Sequence, residues 1–174
     1  MTLFAKTWPR WAFLACVGML GMAHIFETFG HMAPCELCLK QRDVYWWAMT
    51  IAGAGALLGF TRVGPLATRI TNILLSITFF IGTCLAAYHA GVEWTWWPGP
   101  AECTGGAAGV SVADLTALLN GARGHMPACD KPAWIFLGIS MAGWNAVISL
   151  GLVGFSVLAT SAGRSNAAPE EAAA

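Results

Sequence analysis

The chain has 174 residues, 57% of them hydrophobic and 10% charged, with mean hydropathy +0.62 and a formal net charge of zero. An ordinary soluble domain is about 45–50% apolar and about 25% charged. The composition argues for an integral membrane protein with small loops, and the absence of net charge offers no electrostatic footprint for nucleic acid.

Residues 1–10 carry Lys6 and Arg10 ahead of an apolar run at 11–29. A membrane helix needs about 17–25 residues, so this run can span. A signal peptide would have a shorter apolar core followed by a small-x-small cleavage site. Here Glu27, His31 and a cysteine motif follow, which predicts a retained helix. Glu27 and His24 lie near its outer end, where an ionisable group must be paired, wet or snorkelling.

Next comes Pro34-Cys35-Glu36-Leu37-Cys38-Leu39-Lys40-Gln41-Arg42, in a polar gap at 30–43. Two thiols at this spacing can close a small disulfide ring or grip one metal ion, and their reactivity follows their thiolate content. Pro34 suits a turn or a first helical position. A helix beginning here would turn its amide ends toward the sulfurs. Lys40 and Arg42 add positive charge, and Arg42 shares a helix face with Cys38. These charges are expected to favour thiolate at Cys38 over the opposing effect of apolar surroundings. Leu39 after the second cysteine excludes the haem-attachment pattern, and a zinc ribbon needs a second close pair, which is missing.

A second span is expected at 44–60, opening on Tyr45, Trp46 and Trp47 as an interfacial belt. A tight connection with Arg62, Gly64, Pro65 and Arg69 leads to a third span at 70–88. The long polar segment 89–133 opens with His89, passes a tryptophan cluster and Pro98-Gly99-Pro100, and carries Cys103 and Cys129. Ser111-Val112-Ala113-Asp114 resembles a capping box, and Val112, Leu115, Leu118 and Leu119 fall at helical spacing. A short amphipathic helix on the membrane surface is expected there. The last span is expected at 134–158, and a disordered tail at 161–174. Cys16 and Cys84 fall inside apolar runs and are expected to be buried small residues.

Lys6, Arg10, Arg62, Arg69 and Arg164 fall in the short N-terminal, inter-helix and tail segments on one side, whereas Lys40, Arg42, Arg123 and Lys131 are spread over many more residues on the other. The positive-inside rule then puts both termini in the cytoplasm and all four loop cysteines outside, which in a bacterium is the periplasm. Four thiols on that face fit an oxidising compartment or active redox chemistry. A loop disulfide, Cys103–Cys129, can take electrons from a soluble dithiol protein and exchange with Cys35–Cys38 through mixed disulfides. No haem, flavin or iron–sulfur signature is visible, so a lipid-phase quinone is the acceptor that suits a thiol pair at the bilayer edge. Arg42 would stabilise charge on a reduced quinone oxygen. His89, on the same side, would donate a hydrogen bond or a proton.

The chain resembles the DsbB family of disulfide bond formation proteins, over about residues 11–160. The resemblance rests on Cys35-Glu36-Leu37-Cys38 with Gln41-Arg42, on Tyr88-His89, and on Gly91-Val92-Glu93-Trp94 through Trp97-Pro98-Gly99-Pro100 to Cys103. It extends to Cys129-Asp130 ahead of Trp134-Ile135-Phe136-Leu137-Gly138. It implies an all-α, four-helix transmembrane bundle in the inner membrane, with a short surface helix in the second periplasmic loop. It also implies a thiol:quinone oxidoreductase that reoxidises a DsbA-type protein and passes the electrons to ubiquinone or menaquinone. Cys103 would form the mixed disulfide with that partner, Cys129 would pair transiently with Cys35, and Cys38 would engage the quinone with Arg42 beside it. One alternative is a quinone reductase of the vitamin K epoxide reductase type, in which the CxxC is expected late in the chain rather than first. The other is a non-enzymatic metal-binding or structural membrane protein.

Overall fold

The computed structural model describes residues 3–100 and 128–164. Cys103, the predicted surface helix and the chain beyond 164 lie outside them. Helices α1 (Leu3–Thr28), α2 (Glu36–Leu58), α3 (Gly64–Glu93) and α4 (Met141–Arg164) carry nearly all the described residues. Helix α1 packs on α2, α2 on α3, and α3 most extensively on α4, while α4 closes back on α1.

Three of the four, α1, α3 and α4, are long and apolar enough to cross a membrane. Helix α2 differs because Glu36, Lys40, Arg42 and Asp43 occupy its opening turns, ahead of a shorter apolar stretch. The chain is therefore a helical membrane protein by length and composition.

The helices overrun the apolar segments from which they were predicted. Helix α2 starts at Glu36 rather than 44, and α3 continues to Glu93 rather than 88. Backbone hydrogen bonds propagate through polar side chains once a helix is nucleated. His89 is consequently a helical residue, not the first residue of a loop. At the other end of the chain, residues 161–164 continue α4 instead of opening a disordered tail.

The segment 134–140 also departs from the expected span. It folds as an antiparallel hairpin, β1 (Ile135–Phe136) against β2 (Ile139–Ser140). Leu137 and Gly138 turn it with φ of 52° and 78°. Two consecutive positive φ values are the signature of a tight primed hairpin turn. The run Trp134-Ile135-Phe136-Leu137-Gly138-Ile139 is apolar throughout, so hydropathy alone cannot separate it from the helix it precedes.

The interior follows a helical repeat. Ala5, Trp8, Ala12, Cys16 and Leu20 face inward from α1, and Leu37, Gln41, Tyr45, Ala48, Ala52 and Gly55 from α2. Small residues let the backbones approach closely. The outer faces are apolar as well, with Ile77, Phe80 and Ile81 exposed on α3 and Leu57 and Phe60 at the end of α2. Cys84 joins that outer face, contrary to expectation, while Cys16 is buried as expected. Tyr45 is buried, not interfacial like its exposed neighbours Trp46 and Trp47.

Two cross-helix bonds pin the end of the bundle remote from the CxxC pair. Asn72, fully buried on α3, donates to the Ala5 carbonyl at 3.1 Å, the carbonyl to which Pro9 brings no N–H. Trp8 on α1 donates its indole N–H to Ser156 Oγ on α4 at 3.0 Å.

A side chain at Gly55 would have its Cβ 2.3 Å from Thr71 on α3, whereas Gly18 on α1 has nothing within 4 Å. Gly55→Leu should lower stability by about 1–3 kcal/mol through overpacking, and Gly18→Leu should be near neutral. Thermal unfolding of both variants in one detergent checks the contrast; equal transition temperatures would contradict the close α2–α3 approach.

Candidate redox site

The cysteine end of the bundle has its own small core, with Cys35, Leu37, Val92 and Cys129 buried and Cys38, Leu85 and Tyr88 packed against them. Cys35 is the N-cap of α2, and its sulfur accepts the Cys38 backbone N–H at 3.3 Å. A helix start leaves amides in need of acceptors. Here a sulfur takes the role usually played by a serine or aspartate oxygen.

The two sulfurs are 2.8 Å apart and both cysteines are free thiols. Cys35 donates its S–H to Cys38. That hydrogen bond, first, and then burial push the Cys35 thiol far above its ordinary range. The same bond is the largest influence lowering Cys38, with burial opposing it and Arg42 making the smallest contribution. The expected direction at Cys38 therefore appears, but its main source is the neighbouring thiol rather than the positive charges. Lys40 is turned to Glu36 at 3.5 Å.

Cys129 is disulfide-bonded. Its sulfur, that of Cys35 and a ring nitrogen of His89 all lie within 4.8 Å of one another. Such a trio resembles a metal-binding set. With the Cys129 sulfur already in a disulfide, it is instead a meeting point for a thiol, a disulfide and an imidazole.

His89 Nε2 is 3.6 Å from Cys35 Sγ, and Nδ1 is 2.7 Å from the side-chain amide of Gln41. Gln41 Oε1 accepts a short hydrogen bond from Asn145 Nδ2 on α4. Asn145 Oδ1 accepts from the Tyr45 hydroxyl at 2.5 Å, which also meets Ser149 Oγ at 2.9 Å. A continuous polar thread thus runs through the apolar bundle to the thiols. Glu93, one turn beyond His89, has its Oε1 3.9 Å from Nε2 and accepts a short hydrogen bond from Ser140.

Arg42 is held from two directions. Its guanidinium reaches Glu27 on α1 at 2.5 Å and the Ala23 carbonyl at 3.2 Å. A pocket of about 320 Å³ opens beside it, lined by Cys38, Arg42 and His89 and by apolar residues including Leu20, Phe26 and Trp134. Such pockets, mostly apolar with a few convergent polar groups, suit small-molecule ligands.

Of the residues predicted for the site, Cys35, Cys38, Cys129, His89 and Arg42 are brought together, and Cys103 lies outside the described residues. Sequence reasoning left Gln41, Tyr45, Glu93 and Asn145 without a role in the site. The signal for the first two was present: Leu37, Gln41 and Tyr45 are spaced by four, on the inward stripe of α2.

A family model described as disulfide bond formation protein DsbB matches residues 5–159. The chain belongs to this family. Among similar proteins, disulfide bond formation protein B of Methylococcus capsulatus is 30% identical over 166 residues, covering 88% of this chain and 93% of that protein. The protein of the same name from Dechloromonas aromatica is 27% identical over 160 residues, covering 88% and 90%. That from Marinobacter nauticus is 30% identical over 150 residues, covering 79% and 83%. Membership of the DsbB family together with three apolar helices makes this a multi-pass membrane protein of disulfide bond formation, and the family implies disulfide-forming oxidoreductase activity.

The opposite shifts of the two thiols predict their order of reaction. In the reduced chain at neutral pH, Cys38 should alkylate at least about tenfold faster than Cys35. Because its range is lowered, Cys38 should keep reacting as pH falls below the ordinary thiol range, while Cys35 stays protonated. Peptide mass mapping after timed iodoacetamide treatment measures both; equal rates would contradict the assignment.

Proposed function

We propose that the chain is a bacterial inner-membrane protein-dithiol:quinone oxidoreductase that reoxidises a periplasmic DsbA-type protein. Four transmembrane helices, both termini cytoplasmic and the cysteine loops periplasmic, form its frame. The observation that carries this reading is the Cys129 disulfide set against the free Cys35 thiol, with Cys38 lining an apolar pocket.

These placements support the following sequence of exchanges. The partner's dithiol reduces the Cys103–Cys129 disulfide through a mixed disulfide at Cys103. The Cys35–Cys38 disulfide then oxidises the loop pair by way of a Cys35–Cys129 link, leaving Cys35 and Cys38 as thiols. Two electrons and two protons leave that dithiol for ubiquinone or menaquinone, which regenerates the Cys35–Cys38 disulfide. Cys38 suits this last role because it is the thiol held toward thiolate and lies on the pocket wall. Arg42, fixed by Glu27, offers the pocket a positive charge, and His89 forms part of the same wall.

The potentials make an external acceptor necessary. A DsbA-type protein is strongly oxidising, near about −120 mV, and ordinary structural disulfides below about −300 mV could not reoxidise it. Coupling to quinone reduction supplies the missing driving force.

Anaerobic reoxidation of a reduced DsbA-type protein, with ubiquinone as sole acceptor, tests the relay. Wild type should reduce quinone, and Cys38→Ser and Cys103→Ser should each abolish turnover. Turnover surviving either change would refute the electron path. Arg42→Ala should raise the KM for quinone by about tenfold or more, as expected for losing a charged hydrogen-bond donor. Glu27→Gln should raise it less, because the guanidinium remains but is no longer anchored. Steady-state kinetics in quinone concentration separate the two.

A further inference from the structure

His89 has two ring nitrogens, and their partners differ. Gln41 directs its amide nitrogen at Nδ1, and that orientation is set by Asn145, which donates to Gln41 Oε1. Nδ1 must then accept, so a neutral ring carries its proton on Nε2. The ring also makes a hydrogen bond to the Cys129 backbone. On the same Nε2 edge, Cys35 Sγ lies at 3.6 Å, within reach for a sulfur acceptor. Glu93 Oε1, at 3.9 Å, is too distant for a hydrogen bond to oxygen.

We propose that Gln41, backed by Asn145 and Tyr45, is a positioning residue that holds His89 in the Nε2–H tautomer, with that N–H turned to Cys35, where it stabilises the thiolate that makes and breaks the bond to Cys129. This gives His89 a duty on the sulfurs, distinct from contact with a quinone. In the exchange, the Cys35 proton passes along its hydrogen bond to Cys38. The Cys35 thiolate attacks the Cys129 sulfur, the Cys35–Cys129 bond forms, and the sulfur formerly bonded to Cys129 leaves as a thiolate. In reverse, Cys35 is the leaving thiolate. The electrons stay on the sulfurs, so the step needs no further oxidant or reductant. A base at this position would need a lone pair on Nε2, which the Gln41 contact denies it.

The inference rests on the relay reading for the two sulfurs, but its first test needs neither partner nor quinone, so the two can fail separately. The full chain is placed in lipid nanodiscs with Cys35 and Cys38 reduced and histidine labelled with 15N. His89 is identified by the signal lost in His89→Phe. Wild type should show the proton on Nε2. Gln41→Glu, whose carboxylate accepts from Nδ1–H, should move it to Nδ1. The rate of appearance of the Cys35–Cys129 link in quinone-free chain, trapped by acid and located by peptide mass, should fall roughly tenfold in that variant. Asn145→Ala, one residue removed, should loosen the preference and slow the link to a smaller extent, and supplies the readout should Gln41→Glu not fold. A wild-type proton on Nδ1, a tautomer indifferent to both substitutions, or an unchanged rate after inversion would each overturn the proposal.

Discussion

The Gln41–His89 hydrogen bond joins the two helices that carry the chemistry. Neither side chain can sit unpaired inside an apolar bundle without a penalty of about 1–3 kcal/mol. Once they are paired, the start of α2 is locked against the end of α3. Cys35 caps α2 and Cys38 rides on its first turn, and a His89 ring nitrogen lies within 4.8 Å of the Cys35 and Cys129 sulfurs. Asn145 and Tyr45 extend the pairing to α4 and back to α2, so the sulfur geometry is tied to the packing of three helices.

A second constraint works from α1. Arg42 would be a costly cation at the membrane edge if left alone. Glu27 and the Ala23 carbonyl receive it, and Ala23, Phe26 and Arg42 line one side of the pocket. Trp134, just ahead of the hairpin, lines it too and packs on Phe26 with ring centroids 5.4 Å apart. The pocket is therefore assembled from all four helices and the segment that leads into the hairpin, and no single stretch of sequence encodes it.

Much of this was legible from residue types alone. The CxxC with Arg42 four residues on, the apolar runs and the polar gaps located the thiols and their lipid setting. Helix limits were less legible, because hydropathy marks where a segment leaves the lipid and not where its hydrogen-bond ladder stops; α2 and α3 both continue past that point. The hairpin was hidden because its strands are as apolar as the helix that follows. Tyr45 was misread beside Trp46 and Trp47 since three adjacent aromatics look alike by composition, although only one lies on the inward stripe. Asn145 and Glu93 gain their meaning from partners distant in sequence, on which local pattern is silent.

Cys35 is both a reactant and the cap of a helix. As a thiol it receives the Cys38 amide and closes the first turn of α2. A sulfur that swings toward Cys129 withdraws that acceptor, and the opening amides of the helix must look elsewhere. The backbone at Cys38 thus carries a record of electron transfer: each exchange at Cys35 unfastens and refastens the end of α2, so amide exchange rates there should follow the redox cycle without any probe on the sulfurs.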